Sequence, residues 1–393
     1  MTNLSPNIGP SKSLTLLGST GSIGQNTLNL VRNSPKKFEV IALTGNKNVK
    51  LLIEQAREFL PKLVVVADAA LYSELKRGLS GTGIQVGCGL AALNDAAELN
   101  SDIVIAGIVG IAGLTPTLTA IKQGGIVALA NKECLVCAGQ LFIDEIVKSG
   151  ATLIPVDSEH NAIFQVFDFE KANSVESLTL TASGGPFLNM SLSEMAAATP
   201  MQAKSHPNWK MGAKISVDSA TMMNKGLELI EAYYLFPVEE EQINVVIHPQ
   251  SVIHSLVNYK DGSVLAQLGT PDMRTPISYA LAWPERMETN TNKLDLAKVG
   301  NLSFQAPDHR RFPAIDISRN CLKGGAVPPI ILNAANEIAV DAFLENRIGF
   351  LDIVRIVEEV LAKIHFGNLK SIEDIYSCDI EAREKSLEIL SGL

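Results

Sequence analysis

Residues 13–24, SLTLLGSTGSIG, decide how the chain is read. The short apolar run 13–18 fits a buried strand, and residues 25–32 have the pattern of a helix. Between them Gly18, Gly21 and Gly24 fall in a GxxGxxG spacing, not the commoner GxGxxG. A strand, a glycine turn and a helix N-terminus offer bare backbone amides and the positive end of the helix dipole, which suit a pyrophosphate. Tight turns of this kind also occur without a ligand. Here the turn follows the first strand of a chain that continues β-α-β, which favours dinucleotide binding. The next strand, 39–43, runs into Thr44, Gly45, Asn46, Lys47 and Asn48. An NAD site places an acidic side chain here for the ribose hydroxyls. Lys47 between two asparagines suits a 2′-phosphate instead, so NADP is the expected cofactor. The alternative is an ordinary polar turn before a helix at 51–59.

Apolar strands follow at 63–68, 84–89, 102–108, 126–131 and 151–157, with helical segments between them. Such alternation predicts a parallel sheet covered on both faces, with ligands at the carboxyl ends of its strands. Two of those ends are chemically rich: Asn131-Lys132-Glu133 and Asp157-Ser158-Glu159-His160-Asn161. If Asp157 and Glu159 keep strand geometry, their side chains point to one side. Taken alone, the acidic pair more simply caps the next helix. A third acid changes that balance. In 205–232, SHPNWKMGAKISVDSATMMNKGLELIEA, the second half reads as a helix capped by Asp218 or Ser219, with Leu227, Ile230 and Tyr234 as its apolar stripe. Asn224, Lys225 and Glu228 then share a face. Asp157, Glu159 and Glu228 together make a hard oxygen site suited to Mg²⁺ or Mn²⁺. The first half, with His206, Pro207, Asn208, Trp209, Met211 and Gly212, has the character of a closing lid. The competing reading is a capped surface helix with Glu228 and Glu231 solvated.

Beyond residue 157 the pattern changes to α+β. A strand at 178–182 ends in the turn Ser183-Gly184-Gly185-Pro186-Phe187, and strands at 243–249, 251–259 and 263–269 follow, the last two joined as a hairpin by Lys260-Asp261-Gly262. His248 and His254 fit satisfied structural residues better than catalytic ones. Residues 284–313 lack periodicity. Helical patterns at 314–325, 328–346, 349–363 and 371–391 predict a terminal bundle. The expected division is a Rossmann-like domain at 1–156, a catalytic and dimerising α+β domain at 157–290, a linker at 291–312 and a helical domain at 313–393.

Composition narrows the function. With 393 residues, 46% hydrophobic and 19% charged, and a mean hydropathy of +0.17, the chain is a folded multidomain protein. A net charge of −9 and a pI near 5.3 argue against a nucleic-acid partner and leave an anionic substrate to a few local cations. The N-terminal residues lack a signal or transit pattern. The uncharged run 103–121 contains Gly107, Gly110, Gly113 and Pro116, so it reads as strand, turn and helix rather than a membrane span. Five cysteines form neither a disulfide framework nor, at Cys134 and Cys137, a zinc set, which suits a reducing cytoplasm.

The motifs GSTGSIG (18–24), ALANKE (128–133), PVDSEHNAIFQ (155–165), LTASGGPF (180–187), HPNWKMGAKISVDSATMMNKGLE (206–228) and IHPQSVIHS (247–255), in this order, resemble the 1-deoxy-D-xylulose 5-phosphate reductoisomerase family. The resemblance implies isomerisation and NADPH-dependent reduction of 1-deoxy-D-xylulose 5-phosphate to 2-C-methyl-D-erythritol 4-phosphate, in non-mevalonate isoprenoid biosynthesis, by a homodimer. It implies NADPH contacts at Thr20, Gly21, Ser22, Ile23, Asn46, Lys47, Asn48, Asn131, Glu133 and Gly212. Asp157, Glu159 and Glu228 would hold the divalent metal. Lys132 and Ser158 would meet the oxygenated head of the substrate, joined by Glu159 and Glu228. Ser183, His206, Ser219, Asn224 and Lys225 would surround it, mainly at its phosphate, and Trp209 and Met211 would close over it. Lys132, Glu159 and Glu228 are the catalytic candidates. The rivals are another NADP-linked, metal-assisted dehydrogenase acting on a hydroxy acid, and a non-catalytic NADP-sensing protein.

Overall fold

The computed structural model describes residues 11–209 and 211–392; the reading of residues 1–10 as free of a targeting signal lies outside them. Contacts divide the chain into two compact units. The first is Met1–Asn131, Phe142–Asp157 and Met273–Thr291; the second is Lys132–Leu141, Ser158–Asp272 and Asn292–Leu393.

The apolar runs of the first unit form seven strands, β1 (Lys12–Leu17), β2 (Phe38–Gly45), β3 (Leu63–Val66), β4 (Gln85–Cys88), β5 (Ile103–Ala106), β6 (Ile126–Leu129) and β7 (Thr152–Pro155). They pair in parallel in the order β4-β3-β2-β1-β5-β6-β7. Leu14, Leu16, Leu43, Val64–Val66, Ile105 and Leu129 are fully buried, as a sheet covered on both faces requires. The strand order reverses between β1 and β5, which is the switch point where such folds take ligands. Two glycines make this point possible. Gly18 has φ +92°, and a Cβ there would lie 2.6 Å from the Gly107 carbonyl oxygen, just after β5. A Cβ on Gly24 would lie 2.4 Å from Ser19 Cα, so only glycine lets the helix approach the turn. That helix runs Ser22–Arg32, three residues longer than its apolar pattern suggests. Gly21 precedes it with no side-chain cap, so its first amides stay available.

The run 103–121 is β5, a short turn and the helix Leu114–Lys122. Asn48 caps the helix Val49–Phe59 by accepting from the Leu51 amide at 3.3 Å. The helix Arg274–Ala282 also belongs to this unit. Lys12 Nζ donates to the carbonyls of Leu281, Ala282 and Trp283 at its C-terminal end, at 3.4, 3.4 and 3.0 Å.

In the second unit β8 (Val175–Ala182), β9 (Ile243–Ile247), β10 (Ile253–Tyr259) and β11 (Val264–Leu268) form a mixed sheet in the order β11-β10-β8-β9. β8 and β9 run parallel, and the other pairs are antiparallel. The expected hairpin joins β10 to β11, with Gly262 at φ +86°. The terminal bundle is present as Ala314–Lys323, Val327–Leu344, Asp352–Lys363 and Ile372–Ser391. Val327–Leu344 is long and apolar enough to cross a membrane, but 67% of it is buried inside the protein, as a core helix should be. Residues 292–312 hold only a short helix, Leu296–Val299, and a bridge from Gln305 to Ile247. All five cysteines are free thiols.

Two local expectations are corrected. The helix expected to start at a cap on Asp218 or Ser219 starts instead at Met223, as Met223–Leu235, and a separate helix, Ala213–Thr221, precedes it. Met222, buried at φ +63°, turns the chain between them, so Asp218 and Ser219 lie inside the first helix and cap nothing. At residues 157–159 strand geometry is not kept. β7 stops at Pro155 and Ser158 opens the helix Ser158–Val166.

Candidate functional site

The site grows from the helix Met223–Leu235. Leu227, Leu229 and Ile230 are fully buried, but so are Glu228 and Glu231, each 1% exposed. Acids packed this deeply exclude the reading of a solvated surface helix, because a buried carboxylate needs partners. Asn224, Lys225 and Glu228 do share a face. Asn224 Nδ2 donates to Glu228 Oε1, and the Lys225 ammonium pairs with Glu228 Oε2. From the first turn of the helix Lys132–Ser149, Lys132 Nζ donates to Asn224 Oδ1 at 2.9 Å and Glu228 Oε1 at 3.0 Å.

The helix Ser158–Val166 supplies the second side. Glu159 Oε1 is 3.1 Å from Lys225 Nζ, and its Oε2 accepts from Ser158 Oγ at 2.6 Å. Asp157 is bonded directly to Ser158, so local chain geometry sets its carboxylate beside Glu159. One oxygen from each of Asp157, Glu159 and Glu228 lies within 4.8 Å of the others. Three carboxylates set beside the amines of Lys132 and Lys225 offer an all-oxygen donor set, the kind a hard divalent cation prefers, so it fits Mg²⁺ or Mn²⁺.

A third group approaches from the sheet. After β8, Gly184 and Gly185 have φ +88° and +67°, and a Cβ on Gly185 would lie 2.7 Å from the Ser219 carbonyl oxygen. The turn carrying Ser183 is thereby pressed against the helix carrying Ser219. Ser183 Oγ is 2.8 Å from His206 Nε2 and 3.2 Å from the Gly185 amide. His206 Nδ1 accepts from the amides of Asn208 and Trp209 at 3.1 and 3.0 Å, so Nε2 carries the proton and donates to Ser183. Burial keeps the His206 ring below its usual pKa and hence neutral. With His206 and Gly185 donating to its oxygen, Ser183 retains its hydroxyl proton to give to an anion. Asn208 Nδ2 holds the segment to the Pro249 carbonyl at 2.5 Å and to Ser251 Oγ at 3.3 Å, and the Trp209 ring lies 6.1 Å from that of His254. Met211 is half-buried, and Gly212 is exposed.

Family models cover most of the chain: 1-deoxy-D-xylulose 5-phosphate reductoisomerase at residues 14–139, the 1-deoxy-D-xylulose 5-phosphate reductoisomerase C-terminal domain at 153–236, and the DXP reductoisomerase C-terminal domain at 268–385. A 1-deoxy-D-xylulose 5-phosphate reductoisomerase of Rhodospirillum centenum is 56% identical over 381 residues, 97% of this chain and 95% of that protein. The chain belongs to the 1-deoxy-D-xylulose 5-phosphate reductoisomerase family. Among solved structures, the reductoisomerase from Zymomonas mobilis in complex with NADPH superposes with a TM-score of 0.93 at 50% identity, covering 98% of this chain and all of that one. A DOX-P reductoisomerase in complex with NADPH, fosmidomycin and magnesium gives 0.92 at 44% identity, covering 97% of this chain and 98% of its own.

Within this member of the reductoisomerase family, Thr20, Gly21, Ser22, Ile23, Asn46, Lys47, Asn48 and Asn131 belong to the first unit, and Glu133 and Gly212 to the second. Thr20–Ile23 lie on the turn and first helix residues at the switch point. Lys47 is exposed after β2. Asn131 is buried, its Nδ2 donating to the carbonyls of Ile108 and Gly110 at 2.5 and 2.9 Å. The sequence reading missed His160, whose Nε2 donates to the Glu228 carbonyl at 2.8 Å and whose Nδ1 is 3.1 Å from Glu231. These contacts fix the helix at Glu228 itself. Asp157, His160 and Glu231 also bring ligand atoms within 4.8 Å of one another. The three-residue spacing of Glu228 and Glu231 places both on one helix face, but nothing in that spacing points to His160.

Proposed function

We propose that this chain converts 1-deoxy-D-xylulose 5-phosphate to 2-C-methyl-D-erythritol 4-phosphate, using NADPH and Mg²⁺ or Mn²⁺. The observation that carries the reading is the convergence of Asp157, Glu159 and Glu228 around the amines of Lys132 and Lys225. In this reading Asp157, Glu159 and Glu228 hold the metal and Thr20–Ile23, Asn46–Asn48, Asn131, Glu133 and Gly212 hold NADPH. When bound, the cation supplies Lewis-acid stabilisation of charge on the substrate oxygens and NADPH supplies the hydride.

The chain's own residues do the rest. Breaking a carbon–carbon bond beside a ketone develops negative charge on oxygen, and the Lys132 ammonium, aimed by Asn224 and Glu228, stands ready to meet it. Ser158 orients the same end of the substrate. Glu159 and Glu228 are the candidate proton-transfer groups. Ser183, Ser219, Asn224 and Lys225 grip the phosphate, which does not react. Its binding energy is thereby available for positioning and for drawing His206, Trp209 and Met211 over the substrate. Water exclusion by that segment protects the aldehyde intermediate.

We assign NADPH binding to residues 1–156, catalysis and pairing of subunits to 157–290 with the lid near 205–213, connection to 291–312 and a helical domain to 313–393. A homodimer is supported by the edge strand β11, which leaves Val264, Leu265 and Leu268 exposed. Five free thiols support a reducing cytoplasm. The test is loss of NADPH absorbance on adding 1-deoxy-D-xylulose 5-phosphate, with divalent metal and with chelator. Metal-dependent oxidation is expected. Turnover of hydroxy acids instead would favour the dehydrogenase reading, and NADPH binding without turnover the sensor.

A further inference from the structure

The segment 205–212 runs straight into the helix Ala213–Thr221, whose N-cap, Gly212, offers no side-chain bond. A cation in this first turn opposes the helix dipole, yet Lys214 stands there. Its ammonium is 3.0 Å from Glu133 Oε1 and 2.9 Å from Asp218 Oδ2. Glu133 is buried in the first turn of the helix that begins with Lys132. Asp218 Oδ1 accepts from Asn336 Nδ2 at 2.8 Å, and the neighbouring Glu337 pairs with Arg383 at 2.5 Å. Arg383 also pairs with Asp379, four residues earlier on its own helix, at 2.6 Å.

The two cations of this network differ. Arg383 joins the terminal helices to each other. Lys214 joins the two segments that flank the proposed chemistry. Burial alone would lower the Lys214 pKa; Asp218, Glu133 and Glu337 outweigh it and hold the ammonium above its usual value. Burial likewise pushes Glu133 up, but Lys214 brings it below the usual carboxylate range, so the pair is ionic.

We propose that Lys214 is a positioning residue, fastening the end of the 205–212 segment to the helix turn that aims the Lys132 amine. This role rests on the reading of that segment as the lid and of Lys132 as a substrate contact. A network serving stability alone has no need of a cation against a helix dipole, and an apolar replacement would serve as well. The geometry makes lid closure and Lys132 placement one event.

The experiment compares Lys214→Gln, Lys214→Arg and Arg383→Gln in the full-length protein. Steady-state kinetics, thermal unfolding and amide hydrogen exchange over residues 206–212 are measured for each. Lys214→Gln is expected to raise KM for the phosphorylated ketose about tenfold and to speed exchange in the segment by a similar factor. Lys214→Arg is expected to recover most of both effects. Arg383→Gln is expected to lower Tm comparably while leaving KM and segment exchange unchanged. Equal KM and equal exchange in Lys214→Gln and Arg383→Gln would overturn the proposal. If the unaltered protein fails to turn over the ketose, the functional reading falls, and exchange alone decides the coupling.

Discussion

The turn at residues 18–24 and the cluster around Glu228 are opposite kinds of binding surface. The turn is built from backbone, with glycines that admit close approach and helix amides left bare. The cluster is built from side chains, with the buried Glu228 and the half-buried Glu159 answered by two lysines and an asparagine. A backbone surface tolerates almost no added volume but carries little charge. A side-chain surface tolerates volume but depends on every charge being answered. Substitutions should separate the two regions by kind as well as by magnitude.

The largest effect is expected from Glu228→Gln. Losing one of the three acids should cut metal-dependent turnover by about 10²–10³-fold while NADPH binding stays largely intact. Kinetics with metal titration, beside NADPH binding by fluorescence, checks this; equal loss of both would signal a folding defect and break the comparison. The second effect concerns the charge balance around the cluster. His254 is pushed down to about 4, chiefly by burial, with His248 and Lys225 adding to it. Its folded pKa lies below the unfolded value, so the unfolded chain takes up the proton first as pH falls. Stability should drop between pH 6.5 and 4, by about 3 kcal/mol in total from this group. Urea unfolding across that window should show a flatter profile in His254→Gln; an unchanged profile would remove His254 from the balance.

The third prediction turns to the backbone surface. Gly24→Ala places a methyl group against Ser19 and Gly18 main-chain atoms. It should cost about 1–3 kcal/mol of stability and weaken NADPH binding, without changing metal affinity. Coupled loss of metal affinity would show that the two regions are not separable. The smallest effect is expected from Lys47→Ala, which should narrow the preference for NADPH over NADH by roughly fivefold. An unchanged ratio would place recognition of the 2′-phosphate elsewhere.

The two regions also differ in how readily the sequence reveals them. A glycine turn after an apolar strand is local, and residues 13–24 carry every part of it. The strands and terminal helices are similarly plain, because periodicity and apolar runs are local properties. The break at Met222 carries no glycine, proline or asparagine of its own to mark it, since a buried methionine takes the left-handed conformation there. Asp157 and Glu159 were legible as candidates, but the geometry that joins them is a helix start and not a strand. His160 and the Lys214–Glu133 pair depend on contacts between distant segments, which spacing cannot encode. The return of Met273–Thr291 to the first unit is equally non-local.

The central claim is that acids at 157, 159 and 228 form one divalent-cation site. Mn²⁺ binding followed by electron paramagnetic resonance tests it most directly, comparing the unaltered protein with Asp157→Asn, Glu159→Gln and Glu228→Gln. The account predicts a single Mn²⁺ bound by the unaltered chain and its release in each variant, with the fold intact by circular dichroism. Undiminished Mn²⁺ binding in folded Glu228→Gln would contradict it.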